Sequence, residues 1–373
     1  MNDAAARPTD EQGAPMDRLT RRIVRYADLL GPSGLEDRVV AAVREDLAAL
    51  GLDVEVDAFA NVVALLAPRR PDRPTLQLSA HLDEIGLVVR DVDAAGFLRV
   101  HRVGGVHDQV LAGQRVVFLT DAGDVPGVVG VRAKHASSPE ELRRSVGVDE
   151  AFVDVGALDR AHALELGLDV GTLGVFEANA RVQDERVVGK ALDDRVGVAV
   201  LVELAERLGG TELPANVALL FTAQEEFAAR GGVSAARRVD ADVAFCVDIA
   251  VATDVPVGDQ QLPVALGAGP VLTRFTRGSM NGMIPSPLLR RFAAATAARI
   301  GVPLQNAVLQ GGLSDGAATQ HEGRGVPTLD VSFATRYTHT PVETVDLRDV
   351  RALVDWLEAM VRGANGMPDL RRG

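Results

Sequence analysis

The residues best suited to chemistry begin with Asp193 and Asp194. In Gly189-Lys190-Ala191-Leu192-Asp193-Asp194-Arg195-Val196-Gly197 they set two adjacent carboxylates between apolar residues. Val187 and Val188 read as the end of an extended segment, and Val198, Val200, Leu201, Leu204 and Leu208 follow at helical spacing. Carboxylates at such a strand-to-helix junction are costly unless paired or bound to a cation. The competing role is a helix cap, in which an Asp accepts the free N–H groups of the first turn. Partners elsewhere must decide between the two.

Several candidates share the same placement, at or just beyond an apolar strand-like run. His81 follows Leu76-Gln77-Leu78-Ser79-Ala80, and Asp83 comes two residues later. A metal-bound imidazole usually donates its other N–H to an outer carboxylate, a role open to Asp83. Glu225 and Glu226 follow Leu219 to Gln224. Consecutive side chains diverge, so one can bind a metal while the other faces a substrate as proton carrier; acids opening a helix are the plainer alternative. Asp248 ends Phe245-Cys246-Val247, and His339 sits in Tyr337-Thr338-His339-Thr340-Pro341-Val342-Glu343. Ligands in open α/β sheets bind outside the carboxyl ends of the strands. Imidazole and carboxylate without thiolate suit zinc, manganese or cobalt in an open, hydrolytic site.

The elements that must position these groups can be taken in order. Residues 1–16 read as a disordered tail, small and polar in composition. Leu19, Ile23, Tyr26, Ala27 and Leu30 recur at helical spacing, and Val39, Val40, Val43, Leu47 and Leu50 do so again before Gly51. Extended stretches follow over Val54 to Leu66 and Thr75 to Ala80. From residue 87 to 180 short β-like pieces alternate with Gly-rich turns, which predicts a mostly-β domain inserted into the first. Strands and helices then alternate: Val217 to Thr222, a short helix after Gln224, Val243 to Val247, a helix over Leu288 to Ile300, and a closing strand and helix. This order predicts an α/β catalytic domain built from 17–86 and 181–373, with a mixed sheet sandwiched by helices.

The 373 residues carry a formal charge of −13, which argues against nucleic acid or an anionic membrane as partner. No apolar run reaches the roughly 18 to 20 residues that span a bilayer. The amino terminus is polar and acidic where a signal peptide is basic and then apolar. The one cysteine, Cys246, cannot form an internal disulfide and lies in an apolar run. These features point to a cytoplasmic protein.

The chain resembles the M42 family of metallo-aminopeptidases, which includes glutamyl aminopeptidase and the tetrahedral dodecameric peptidases. The resemblance runs from about Leu19 to Leu357 and rests on motifs in the family's order. They are Pro32-Ser33-Gly34-Leu35-Glu36, Ala80-His81-Leu82-Asp83-Glu84-Ile85-Gly86, Gly189 to Arg195, Gln224-Glu225-Glu226, Gly311-Gly312-Leu313-Ser314-Asp315, and Arg336 to Glu343. It implies a zinc-peptidase-like fold whose inserted β segment is a dimerisation domain, in a homo-oligomer from dimer to dodecamer. It also implies two divalent metal ions per subunit, zinc foremost, with cobalt or manganese as alternatives. Asp193 would bridge them, His81 and Asp248 completing one site, Glu226 and His339 the other. Glu225 would be the general base, and Asp83 the support of His81.

The activity so implied is hydrolysis at the amino terminus of peptides. An amidase or deacylase acting on N-acylated amino acids could use the same metals. A glycan hydrolase fits less well, because adjacent carboxylates rarely face each other across a sugar and aromatic residues make up only 4% of the chain. A non-catalytic scaffold would have no need of the complete ligand set. The pocket is expected to draw on residues near Gly311 to Gly316 and Thr335 to Tyr337, where no charge selects a substrate side chain.

Overall fold

The computed structural model describes residues 16–140, 143–256, 263–278 and 281–370. The tail expected over residues 1–16 therefore lies, but for Met16, outside the described residues. The first helix, Arg18–Asp28, opens with Asp17 accepting the N–H of Thr20 at 2.7 Å, and buries Leu19, Ile23, Tyr26 and Ala27 on one face. A second, Asp37–Ala49, packs beside it.

At the centre lie four parallel strands in the spatial order Asn216–Thr222, Thr75–His81, Val243–Val251, Thr328–Arg336. Every residue of the first two is buried, as expected of strands covered on both faces. Side chains alternate between the two covers. Leu219 and Phe221 join the larger core under the helices Arg18–Asp28, Leu192–Leu208 and Leu347–Arg362. Ala218 and Leu220 face Ala235 and Val239 of the helix Arg230–Val239. Antiparallel strands extend the sheet to either side: Val62–Leu65 and Val54–Val56 at one edge, Glu343–Asp346, Arg186–Gly189 and Arg181–Gln183 at the other. A branch built of Val271–Arg277, Gly282–Met283 and Gln305–Gln310 leaves Thr328–Arg336; it is not among the strands expected from the sequence.

The chain leaves the sheet after His81 and forms a closed six-stranded antiparallel barrel. Its strands are Gly86–Val92, Leu98–Val103, Phe152–Asp154, Gly123–Val129, Arg115–Thr120 and Leu173–Phe176, around a separate core that includes Leu87, Val100, Phe118 and Val153. Among the described residues no helix is long and apolar enough to cross a membrane.

Candidate metal centre and its cavity

The carboxyl ends of the parallel strands gather His81, Asp193, Glu225, Glu226, Asp248 and His339 at one place. His81 ends its strand with the ring almost wholly buried. Its Nε2 lies 3.1 Å from Asp193 Oδ1, and its Nδ1 3.1 Å from the backbone carbonyl of Asp83 and 3.5 Å from Asp83 Oδ1. The other Asp193 oxygen, Oδ2, is 3.5 Å from His339 Nε2, which is itself 3.2 Å from Glu226 Oε1. Two triads, His81 with Asp193 and Asp248, and Asp193 with Glu226 and His339, each bring one ligand atom per residue within 4.8 Å of one another.

The Asp-Asp junction splits the two roles weighed for it. The helix Leu192–Leu208 is entered through Ala191 in a left-handed conformation and breaks from helical geometry at Asp193 and Asp194. Asp194 Oδ1 accepts the N–H of Gly197 at 3.2 Å and Oδ2 that of His81 at 3.1 Å, so Asp194 caps the helix and pins the strand end. Asp193 is thereby left free to face both imidazoles.

Glu225 and Glu226 do not open a helix. Gln224, Ala228 and Ala229 take positive φ values of 57°, 75° and 52°, and the helix begins only at Arg230. The two acids sit instead on a tight turn held by Asp83, whose Oδ1 accepts the N–H of Glu225 at 2.9 Å and Oδ2 that of Glu226 at 3.1 Å. Ser33 Oγ also donates to Asp83, at 2.6 Å. Glu36 holds the turn from behind, accepting the N–H of Gln224 at 3.2 Å. Asp83 thus orders the Glu-Glu turn, while its backbone carbonyl and, farther off, its carboxylate face His81 Nδ1.

Glu343, at the end of the motif Arg336 to Glu343, has a role that the sequence does not show. Its Oε2 accepts the N–H of Asp193 at 2.9 Å and its Oε1 that of His339 at 2.8 Å, so one buried carboxylate fixes two candidate ligands through their backbones. The barrel contributes Gly105, against which His339 packs so closely that a Cβ there would lie 2.3 Å from His339 Nδ1.

The electrostatics fit a cation cluster. Burial pushes the carboxyls of Glu225 and Asp248 well above the usual range, and neighbouring acids add to the effect. The Glu225 carboxylate accepts no hydrogen bond from any described residue, and Asp248 accepts only the N–H of Ile249, at 2.6 Å. Burial opposes charge on His339, yet Glu226 and Asp193 push it up to about 12. Burial would likewise raise Asp193, but hydrogen bonds from His339 and His81 hold it below the usual carboxylate range. Protonated imidazoles therefore balance the carboxylates where metal ions would, and binding would release those protons. Nitrogen and oxygen donors without thiolate suit hard to borderline divalent ions.

A cavity of about 600 Å³ opens on Asp193, Glu225, Glu226, Asp248 and His339. Gly311 to Ser314 and Tyr337 line it, as expected, while Thr273, Ala307, Asp330 and Ser332 were not anticipated. The signal for Asp330 was present: it is an acid inside the apolar strand run from Thr328 to Phe333. A larger hollow of about 820 Å³ between the helices Pro287–Ile300 and Leu347–Arg362 contains none of the candidate ligands.

Residues 60–356 match the sequence profile of the family described as M42 glutamyl aminopeptidase. The chain is 34% identical to the putative aminopeptidase SgcX of Escherichia coli over 88% of its own length and 89% of that protein's. Among solved structures it superposes on the aminopeptidase APDkam598 from the archaeon Desulfurococcus kamchatkensis with a TM-score of 0.88 at 30% identity, covering 96% of this chain and 99% of the other. It also resembles the TET1 peptidase of Pyrococcus horikoshii, which assembles into a tetrahedron or a large octahedral shell, with a TM-score of 0.82 at 31% identity, covering 92% and 99%.

Proposed function

The chain belongs to the M42 glutamyl aminopeptidase family, whose members hydrolyse peptide bonds, and from that premise we propose that this site releases N-terminal residues from peptides with two divalent cations. His81, Asp193 and Asp248 would hold one cation, and Asp193, Glu226 and His339 the other. The observation that carries this assignment is Asp193 itself, whose two oxygens face different imidazoles, at 3.1 and 3.5 Å.

Bound there, the ions would supply Lewis acidity, making a water nucleophilic near neutral pH and drawing charge from the scissile carbonyl. Glu225 takes the proton of the attacking water and returns it to the leaving amine. Its burial in the cavity wall and its freedom from other hydrogen bonds suit a base of raised affinity for protons. Asp83 keeps Glu225 aimed into the cavity and Glu226 at His339 by fixing the backbone of both.

Residues 17–86 and 181–373 form the catalytic domain in this assignment, and the inserted segment, 87–180, is the dimerisation domain. The shells formed by the TET1 relative support a homo-oligomer of this chain, with peptides as its substrates. A cytoplasmic location completes the proposal.

Stripping the protein with a chelator and restoring zinc, cobalt or manganese, then assaying a panel of aminoacyl-p-nitroanilides, tests the function. Activity on free-amine substrates that is lost and regained with metal is expected, with about two ions per chain by elemental analysis. Release of acetate from N-acetylated amino acids, with no turnover of the free-amine anilides, would make the enzyme a deacylase instead.

A further inference from the structure

Building on the aminopeptidase function proposed above, we propose that Asp330 selects substrates with a basic N-terminal residue, lysine or arginine, by setting its carboxylate at the floor of the cavity that receives the first side chain.

Strand register places it there. Ser332 pairs with Asp248 and Asp330 with Cys246, and partners in neighbouring parallel strands share a face. Asp330 therefore lies on the Asp248 side of the sheet, two residues, or about 7 Å, farther in from the carboxyl ends. It lines the cavity but is only 2% exposed. Its Oδ1 accepts Ser314 Oγ at 2.7 Å and is crowded by Gly316, where a Cβ would come within 2.5 Å. Among the described residues no other donor reaches Asp330, so Oδ2 is without a partner. The walls above include Ala250, Ala307, Leu309 and Leu313, and among the described residues no Lys or Arg lines the cavity.

A buried carboxylate with a spare acceptor and no lysine or arginine beside it discriminates strongly among side chains. Lysine offers a four-carbon stem to the apolar walls and an ammonium head to the floor, and arginine a forked donor. A glutamate would bring like charge next to Asp330, and a leucine would leave the carboxylate desolvated and unpaired. Burial already pushes Asp330 up to about 7, with Asp315 adding to it, so a cationic side chain relieves an existing penalty. The preference so inferred runs opposite to the acidic one in the family's description.

The test compares metal-loaded wild type with Asp330→Asn and Asp330→Leu on lysyl, arginyl, leucyl and glutamyl p-nitroanilides. Wild type is expected to favour lysyl and arginyl over leucyl and to turn over glutamyl poorly. In both variants the lysyl-to-leucyl ratio of kcat/KM should fall about a hundredfold, the scale of losing one partner of a buried charge pair. Thermal melting reports whether each variant folds, and the nearly isosteric Asn decides the matter if the Leu variant does not. A wild-type preference for leucyl or glutamyl, or a ratio unchanged in Asp330→Asn, overturns the assignment of Asp330 while leaving the aminopeptidase intact. Turnover of none of the four substrates overturns the aminopeptidase function and this inference with it.

Discussion

The two carboxylate oxygens of Asp83 are shared between consecutive backbone amides, Oδ1 accepting from Glu225 at 2.9 Å and Oδ2 from Glu226 at 3.1 Å. One fully buried side chain thus sets the direction of both the proposed base and a proposed ligand. In Asp83→Asn an amide NH₂ must confront one of those N–H groups, leaving a buried donor unmet. Activity should fall about 10- to 100-fold, the usual effect of removing an outer partner from a metal site, with weaker metal retention measured by chelator competition. Unchanged kcat and metal affinity would show that the turn holds itself.

Glu225→Gln keeps size and burial but cannot carry the proton. With metal content unaltered by elemental analysis, kcat is expected to drop at least a hundredfold, as for loss of a general base. Near wild-type turnover would assign the proton to another group.

Gly105 gives the barrel a hold on the proposed metal centre. A methyl group there would lie 2.3 Å from His339 Nδ1 and 2.7 Å from Cε1, so Gly105→Ala must push the imidazole aside. The expected outcome is weakened binding of one metal of the two, seen by calorimetric titration, with the barrel still folded by circular dichroism. Equal affinity at both sites would mean that His339 is not a ligand.

The metal-free protein should lose stability as pH rises. Burial, first among the causes, pushes Asp315 up to about 6, Glu36 and Asp330 to about 7 and Glu343 to about 8. Unfolded carboxyls titrate near about 4, so over this interval the folded chain binds more protons than the unfolded one. The stability these groups contribute is complete below about pH 4 and is lost as pH climbs through their folded values. Asp83 and Asp193, both held low, have the opposite sign and lose their contribution only in acid. The Tm of chelator-treated protein should therefore fall between about pH 4 and 8; a rising Tm across that interval would contradict the shifts.

The candidate site was largely legible because its side chains sit where apolar runs stop, and a run's end is visible without a fold. His81, Asp248 and the Glu225-Glu226 pair were found this way. Residues that act through the backbones of others left no such mark: Glu343 reads as an acid in a loop until its oxygens are seen on the amides of Asp193 and His339. Gly105 is one glycine among many, and its importance appears only when the barrel is closed. The helix expected after Gln224 starts late because three left-handed residues interrupt the chain there. The branch strand Gln305–Gln310 escaped notice because its burial alternates only at its start, the rest being half-buried or exposed.

The two imidazoles at the centre are separated by most of the chain, from His81 to His339, and Asp248 is held in register by the strand that runs on to His339. A partly synthesised chain still lacking Thr328–Arg336 has neither that register nor His339 and Glu343. With the proposed ligand set, an enzyme that trims amino termini would therefore lack a complete centre until the last part of its chain is made.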